Sequence, residues 1–319
     1  MKFSVLMPVF KAKYLNEAID SVVRQDYEDW ELVIVNDASP EDIDTIVMSF
    51  KDSRIKYFKN TVNTGAINVV DNWNKCLNLS SGDYAMMIGD DDKIESNCLS
   101  QYKAMIDKHP SLDVYHGRTL IIGPNGQPLT LQDKRAETET AMDAIAERMT
   151  HRQQFIGDYL FNAKTLKQNG GFIKLPLAWG SDDITVFKAI GCKGIANINE
   201  PIFNYRNNPF SITSSGNVDL KMDAMNLHKN WLRDFVKHYN ATTRTDIILK
   251  CQILQKLDNY FLKKAANLIA SDIATHGTTR VLTWMQKAKK HNLPIKLIIY
   301  SMVEACKIKN QHSNCNAKK

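Results

Sequence analysis

The chain has 319 residues, with 41 lysines and arginines against 35 aspartates and glutamates, which gives a formal net charge of +6. Apolar residues make up 44% and charged residues 24%, which is typical of a globular protein and excludes a disordered or fibrous chain. No stretch approaches the roughly 20 apolar residues of a membrane span, and the first residues do not resemble a signal peptide. We therefore expect a cytoplasmic protein. Because the basic residues form no dense stripe, we expect no nucleic-acid partner.

Apolar runs alternate with amphipathic segments in the first part of the chain. The predicted strands are residues 3–7, 32–35, 55–58 and 84–88, and the predicted helices are 15–23, 43–50 and 65–79. Repeated strand–helix units of this length predict an α/β fold with a mostly parallel sheet and helices on both faces.

The pattern weakens after residue 110 and becomes helical near the C-terminus, with a predicted helical stripe of Ile247, Cys251, Leu254, Leu257 and Phe261. Short strands are predicted at 112–116 and 119–122, and Pro124-Asn125-Gly126 is typical of a hairpin turn. The segment 133–150 is charged and helix-prone, and we expect it to lie on the surface over the sheet edge. Glycine and proline nearly vanish after about residue 219, so we divide the chain into a domain at 1–215 and a helical C-terminal region at 216–319.

The carboxyl ends of the strands are the places to look for chemistry, because ligands of parallel sheets bind there. One such end carries three consecutive carboxylates, Asp90, Asp91 and Asp92. Carboxylates this close repel one another, and Mg²⁺ or Mn²⁺ would neutralise them. A solvated acidic turn that caps the next helix is the alternative.

A second acidic site precedes an amphipathic helix at Trp179-Gly180-Ser181-Asp182-Asp183. Helix capping explains one carboxylate but not two, so a general base beside an aromatic face that suits a sugar or nucleobase is the other reading. The sequence contains neither a Gly-x-Gly-x-x-Gly fingerprint nor a Walker loop, so a bound nucleotide is not held by a glycine-rich loop.

Taken in order, these motifs resemble the family 2 glycosyltransferases of the GT-A fold. The matching segments are 3–10, 31–39, 63–65, 82–92, 170–172 and 181–183, so the resemblance covers about residues 1–215. It implies a GT-A domain with a helical C-terminal appendage, a nucleotide-sugar donor such as a UDP-sugar, a Mn²⁺ or Mg²⁺ ion, and transfer with inversion.

The resemblance also implies roles for individual residues. Asp91 would bind the metal, with Asp92 as the second candidate ligand. Asp183 would be the general base, and Asp182 would orient that base or the acceptor. The residues expected to contact the nucleotide sugar are Pro8, Val9, Phe10, Asp37, Asn63, Gly65, Asp90, Trp179 and Arg206.

Two departures from the family pattern leave an alternative open. Gly89 stands where many members carry the first aspartate of the metal motif, and Asn208 replaces a histidine that can join the metal site. The alternative is a sugar-nucleotide or glycan-binding protein that keeps the fold without turnover. A sugar-phosphate nucleotidyltransferase is a weaker third reading, since its glycine-rich first loop is missing.

The Gln-x-x-Arg-Trp element of processive polymerases is not visible in the chain, which favours addition of a single sugar to a glycan or lipid-linked acceptor. The C-terminal segment 293–303 is apolar and is followed by lysines. It could lie on an anionic membrane, or pack back onto the domain or onto a second subunit in a homodimer.

Overall fold

The computed structural model describes residues 1–208 and 217–316, with only the helical backbone for 309–316. Four parallel strands form one half of a sheet: β1 (Phe3–Val9), β2 (Trp30–Asn36), β3 (Ile55–Lys59) and β4 (Tyr84–Met87). They confirm the four predicted strands. The first strand runs past Pro8, which lies beyond the last β1–β4 pair, so its missing N–H leaves no gap in that ladder.

The predicted helices between these strands are confirmed. They are α1 (Leu15–Val23), α2 (Ile43–Ser49) and α3 (Val69–Leu79), the last preceded by a 3₁₀ turn at Ala66–Asn68, and α4 (Cys98–Lys108) follows β4. The buried stripe of α1 consists of Leu15, Ala18, Ile19 and Val22, at the spacing that one helix face requires.

The other half of the sheet is mixed. Its strands are β5 (Lys93–Ile94), β6 (Val114–Ile122), β7 (Pro128–Leu131), β8 (Thr138–Glu139), β9 (Tyr159–Asn162) and β10 (Ile195–Arg206). The main path through the sheet runs β3-β2-β1-β4-β9-β6-β10-β5. The hairpin turn after β6 is confirmed, because β6 and β7 pair antiparallel. The two strands predicted at 112–116 and 119–122 are one strand, β6, because Gly117 and Arg118 both pair with β10, although the register shifts between their partners Ile198 and Pro201.

The helix expected within 133–150 is confirmed, but the expected surface position holds only for part of this segment. This stretch forms β8 and helix α5 (Ala141–Arg148), which starts with a capping box between Thr140 and Asp143. The α5 side chains Met142 and Ile145 are fully buried, whereas Glu147 on the same helix is exposed. Helices α6 (Ala163–Gln168) and α7 (Ser181–Ile190) follow, with a 3₁₀ turn at Pro176–Ala178 just before α7.

Four helices form the C-terminal region: α8 (Val218–His238), α9 (Arg244–His276), α10 (Arg280–Lys287) and α11 (Ile295–Asn316). One hydrophobic core joins them to the sheet, since Leu6 and Val33 belong to the same buried cluster as Leu232 and Leu257. The predicted helix is confirmed in α9, although Ile247 and Cys251 of its predicted stripe are exposed.

The boundary predicted at residues 215/216 falls within residues 209–216, outside the described part of the chain, and stays a prediction. Helix α11 packs on α9 with Ile298 and Ala305 buried. Across the described helices, none combines the length and apolar character needed to cross a bilayer.

Candidate active site

A cavity of about 720 Å³ opens at the carboxyl ends of β1, β2 and β4 and extends to helices α8 and α9. It collects predicted site residues from five separate stretches of the chain. Those lining the cavity are Pro8, Val9, Phe10, Asp37, Asn63, Gly65, Asp90, Asp91, Asp92, Trp179, Asp182 and Asp183. The rule that ligands bind at the carboxyl ends of the strands therefore located the pocket correctly.

Asp37 ties the loops after β2 and β3 together at one end of the pocket. Its carboxylate accepts hydrogen bonds from Asn60 Nδ2 at 2.7 Å, the Thr64 hydroxyl at 2.6 Å and the Thr64 amide at 3.0 Å. Asn63 Nδ2 donates to the Asp37 carbonyl at 2.6 Å. These contacts fix a polar rim at this end of the cavity.

Asp90 connects the end of β4 to the loop that follows β1. Its Oδ2 accepts hydrogen bonds from the backbone amides of Phe10 at 2.8 Å and Lys11 at 2.7 Å. Burial, and next the charge of Asp91, raise the pKa of Asp90 to about 6. The carboxylate therefore holds the first loop of the pocket in place.

Asp91 and Asp92 each use one oxygen to bind the protein and turn the other towards Gly89. Asp91 Oδ2 accepts from Asn208 Nδ2 at 2.7 Å, and Asp92 Oδ1 accepts from the Arg206 amide at 2.8 Å. A Cβ atom added to Gly89 would lie 3.0 Å from Asp91 Oδ1 and 2.9 Å from Asp92 Oδ2. Glycine at this position thus lets two carboxylate oxygens converge.

These two oxygens fit the hard-oxygen preference of Mg²⁺ or Mn²⁺. Within residues 1–208 and 217–308, no group of three or more His, Cys, Asp or Glu side chains could hold a metal ion. Mg²⁺ in nucleotide sites usually takes one or two carboxylates together with phosphate oxygens of the substrate. The acidic turn therefore offers a partial ligand set that a bound diphosphate would complete.

Arg206 is the predicted binding residue that does not line the pocket. Its guanidinium lies behind the acidic turn, where Nε donates to the Asp91 carbonyl at 2.7 Å and an Nη donates to Glu17 at 2.9 Å. The guanidinium also stacks on the Tyr14 ring at 4.2 Å. In this structure Arg206 stabilises the acidic turn through its hydrogen bond to the Asp91 carbonyl. Its predicted contact with the nucleotide sugar stays a prediction.

Asp182 and Asp183 occupy the first turn of α7 and have different surroundings. Asp183 is 1% exposed, accepts a hydrogen bond from Arg148 Nε at 2.7 Å, and lies 3.9 Å from His228 Nε2. Burial lowers the pKa of His228 to about 4, so this ring is neutral at pH 7. Asp182 is partly exposed and lines the cavity.

The backbone before α7 leaves room for the His228 ring beside Gly180 and Asp183. Gly180 has φ of +88°, and a Cβ atom there would lie 2.6 Å from His228 Nδ1. Leu177 and Ala178 also have positive φ, at 57° and 53°. This strained turn sets the start of α7 and places Trp179 on the pocket wall.

Sequence reasoning missed the pocket residues that come from segments outside the motifs. Among them are Arg148 on α5, Met225 and His228 on α8, and Phe261 and Lys264 on α9. Phe261 was visible only as one apolar residue of a helical stripe, and Arg148 only as one charge in a charged segment. The C-terminal helices thus form one wall of the candidate active site.

A pocket at the carboxyl edge of a largely parallel half-sheet, with an acidic turn and a second carboxylate pair, is the arrangement of a GT-A glycosyltransferase. Comparison with known families matches residues 4–163 to "Glycosyl transferase family 2". The chain belongs to this family.

Similar proteins support the family and the fold. The putative colanic acid biosynthesis glycosyl transferase WcaA of Escherichia coli K12 is 39% identical over 104 residues, covering 32% of this chain and 36% of WcaA. A GalNAc(5)-diNAcBac-PP-undecaprenol beta-1,3-glucosyltransferase of Campylobacter jejuni is 36% identical over 102 residues, covering 31% of this chain and 32% of that protein. The chain thus spans about a third of these two relatives.

The crystal structure of Staphylococcus aureus TarS 1-349 in complex with UDP-GlcNAc superimposes on 98% of this chain and 92% of TarS 1-349, with a TM-score of 0.65 and 16% identity. This likeness extends over the C-terminal helices and confirms the GT-A fold with a helical C-terminal region.

Proposed function

We propose that the protein transfers a single sugar from a UDP-sugar to a glycan or lipid-linked acceptor, with inversion at the anomeric carbon. The observation that carries this proposal is the single cavity that gathers the β1 loop, the Asp37 rim, the acidic turn and the carboxylate pair. Its volume of about 720 Å³ lies within the range of small-molecule sites. The UDP-GlcNAc bound to TarS and the lipid-linked acceptor in the name of the Campylobacter relative support the choice of donor and acceptor.

In this proposal Pro8, Val9 and Phe10 line the base and ribose, with Asp37 and Asn63 at the polar rim beside them. The ring of Trp179 offers an apolar face to a sugar, and Lys221 Nζ lies 4.9 Å from the centre of this ring. Asp182 and Asp183 stand on the α7 side of the same cavity, where an acceptor hydroxyl would approach.

Asp91 and Asp92 would hold a Mn²⁺ or Mg²⁺ ion through their convergent oxygens. When bound, the ion would stabilise the negative charge that builds on the departing diphosphate. The chain itself contributes the orientation of these carboxylates, because Asn208 and the Arg206 amide each hold one oxygen of the pair.

A panel of UDP- and GDP-sugars with Mn²⁺ and mixed glycan and lipid-linked acceptors tests the proposal. We expect release of the nucleoside diphosphate from one UDP-sugar, and attachment of its sugar with the opposite anomeric configuration, read by NMR. Binding of a UDP-sugar without turnover in any mixture would favour the alternative of a glycan- or sugar-nucleotide-binding protein.

We further propose that α11 holds the protein at an anionic membrane surface, on the cytoplasmic side expected from the sequence. One face of α11 packs on α9, whereas Ile295, Ile299, Met302 and Val303 are 60%, 51%, 40% and 50% exposed on the other face. Exposed lysines such as Lys296 accompany this stripe. Apolar stripes flanked by cations are typical of helices that bind membrane interfaces.

Vesicle flotation of the variant Ile299→Asp/Met302→Asp tests this contact without removing the packed face of the helix. Binding to vesicles with anionic lipid should fall at least tenfold, while Leu129→Asp, at an equally exposed apolar site on β7, should bind like the wild type. If the α11 variant binds vesicles like the wild type but has a lower oligomer mass in solution, the exposed stripe is a homodimer contact and the membrane proposal is wrong.

A further inference from the structure

Gln154 is a buried side chain on the wall of the candidate active site. It is 7% exposed and lines the cavity, and in the described part of the chain its Nε2 has no hydrogen-bond partner. The other two glutamines buried there are paired. Gln25 Nε2 donates to the Glu95 carbonyl at 2.7 Å, and Gln132 Nε2 donates to Asp158 Oδ2 at 2.9 Å. Because an unpaired buried donor is unfavourable, the exception at Gln154 indicates that its amide binds a ligand.

The segment that carries Gln154 is connected to the acidic turn on one side. The next residue, Phe155, stacks its ring on Tyr205, with the ring centres 3.8 Å apart and the planes at 14°. The residue after Tyr205 on β10 is Arg206, whose amide donates to Asp92 Oδ1 at 2.8 Å. Both stacked rings line the cavity. Gln154 is therefore one aromatic pair away from the place where the proposed diphosphate lies.

On its other side the same segment is connected to helix α7. The carbonyl of Arg152, two residues before Gln154, accepts a hydrogen bond from Arg148 Nη1 at 2.9 Å. Arg148 Nε donates to Asp183 at 2.7 Å. In the proposed reaction the acceptor hydroxyl approaches from the α7 side and the diphosphate lies at the acidic turn. The sugar that is transferred would thus occupy the space between them, beside Gln154.

We propose that Gln154 is a specificity-determining residue, whose side-chain amide donates a hydrogen bond to an oxygen of the transferred sugar. This inference rests on the proposed glycosyl transfer. A ring hydroxyl or an acetamido carbonyl can accept this bond, and the stacked rings of Phe155 and Tyr205 offer an apolar surface to the C–H face of a sugar. An acceptor glycan or lipid extends out of the cavity, whereas the donor sugar is enclosed in it, so the depth of Gln154 favours the donor.

The stability of the free protein tests whether the amide is unpaired before the ligand binds. Gln154→Met keeps the length of the side chain and removes its polar atoms. We expect this variant to unfold at the same temperature as the wild type or at a higher one, because no hydrogen bond is lost. Gln153→Met is the matched control, since Gln153 is exposed and does not line the cavity. Marked destabilisation of Gln154→Met alone would mean that the amide supports the fold, which would overturn the proposal.

Calorimetry with UDP, UDP-glucose, UDP-galactose and UDP-GlcNAc in the presence of Mn²⁺ tests the contact itself. For the UDP-sugar that the wild type binds best, Gln154→Met should bind roughly fivefold to tenfold more weakly, as expected for the loss of one hydrogen bond. Its affinity for UDP should not change, because UDP has no sugar to contact Gln154. Gln153→Met should match the wild type with both ligands.

Analogues of the preferred UDP-sugar that each lack one hydroxyl or the acetamido group identify the oxygen that accepts the bond. The analogue without that oxygen should bind the wild type and Gln154→Met equally well, since no hydrogen bond is left to lose. If every analogue kept the difference between the two proteins, the amide would not contact the sugar and the proposal would be overturned.

Two further outcomes separate this inference from the proposed function. If the wild type turns over a UDP-sugar and Gln154→Met binds that sugar equally well, only the role of Gln154 is wrong. An increase in the KM for the acceptor alone would assign the amide to the acceptor instead. If the wild type neither binds nor turns over any UDP-sugar, the proposed function fails, and the role of Gln154 fails with it.

Discussion

The acidic turn of Asp90, Asp91 and Asp92 and the carboxylate pair of Asp182 and Asp183 line the same cavity, but they are neutralised differently. Backbone amides and the Asn208 side-chain amide hold the carboxylates of the turn. Burial raises the pKa of all three, and the positive charges nearby do not reverse this shift.

The pair on α7 has its own counter-charge in Arg148, which keeps the pKa of Asp183 below the ordinary value although burial acts against it. Buried carboxylates that lack a full counter-charge favour either a proton or a cation. The turn thus lacks a full counter-charge, which the proposed metal ion would supply, whereas Asp183 of the pair already has one in Arg148.

The largest effect should come from removing a carboxylate of the turn. Asp91→Asn should lower kcat/KM for UDP release by about 10³-fold, since it removes a ligand and half the charge available to a metal near the diphosphate. Binding of Mn²⁺ in the presence of UDP, measured by electron paramagnetic resonance, should weaken in parallel. Asp107→Asn, in an exposed ion pair with Lys103 on α4, should match the wild type. If Asp91→Asn bound Mn²⁺ as tightly as the wild type, the proposal that the acidic turn holds the metal ion would be wrong.

Loss of Arg148, the counter-charge of Asp183, should have the largest effect on the free energy of unfolding. Arg148→Met should lower the free energy of unfolding by about 3 kcal/mol, because Asp183 would be left charged and unpaired in the interior. Urea denaturation measures this, and adding Asp183→Asn should restore more than half of the loss. Arg233→Met breaks the exposed pair with Asp258 and should cost less than about 1 kcal/mol. Equal losses in the two arginine variants would contradict a special role for the buried pair.

The strained turn before α7 should show a smaller effect. Gly180→Ala should destabilise the protein by about 2 kcal/mol, since a side chain at φ of +88° is strained and its Cβ would lie 2.6 Å from His228 Nδ1. Gly170→Ala is the matched control, with φ of +89° and open space around the added atom. It should cost about 1 kcal/mol from the backbone alone. Similar unfolding midpoints for the two variants would mean that His228 moves away freely.

Local patterns explain why much of the fold and the pocket could be predicted from the sequence. The runs that form β1, β2 and β4 are mostly apolar because these strands are buried in the sheet, and their carboxyl ends meet at one edge. A turn motif at a strand end is therefore placed in the pocket by topology alone. Asp37, Asp90 and Asp91 were found in this way.

The partners of those motifs could not be predicted, because they depend on packing between distant segments. Arg148 contacts Asp183 from 35 positions away, and His228 lies on α8, which follows α7 and β10 in the chain. No periodicity marks which charge of α5 points inwards. Arg206 is the opposite case, since its residue type suits a phosphate but its guanidinium lies behind the acidic turn, where it donates to the Asp91 carbonyl and to Glu17.

The smallest effect separates the two carboxylates of the pair through the pH dependence of stability. The folded-state pKa of Asp182, about 7, lies above its ordinary value of 3.8, so this group favours folding at low pH, and that contribution is lost as pH rises towards 7. Asp182→Asn removes the repulsion between two charged neighbours. We expect it to raise the free energy of unfolding by at least ~1 kcal/mol at pH 8, and by less at pH 5, where the wild-type carboxyl is already protonated in the folded state. Thermal unfolding at both pH values measures this difference.

Asp183→Asn should behave in the opposite way and destabilise the protein at pH 8, because Asp183 is the charged partner of Arg148. If both asparagine variants were destabilised equally at pH 8, the two carboxylates would be equally charged in the folded state, and the raised pKa of Asp182 would be wrong.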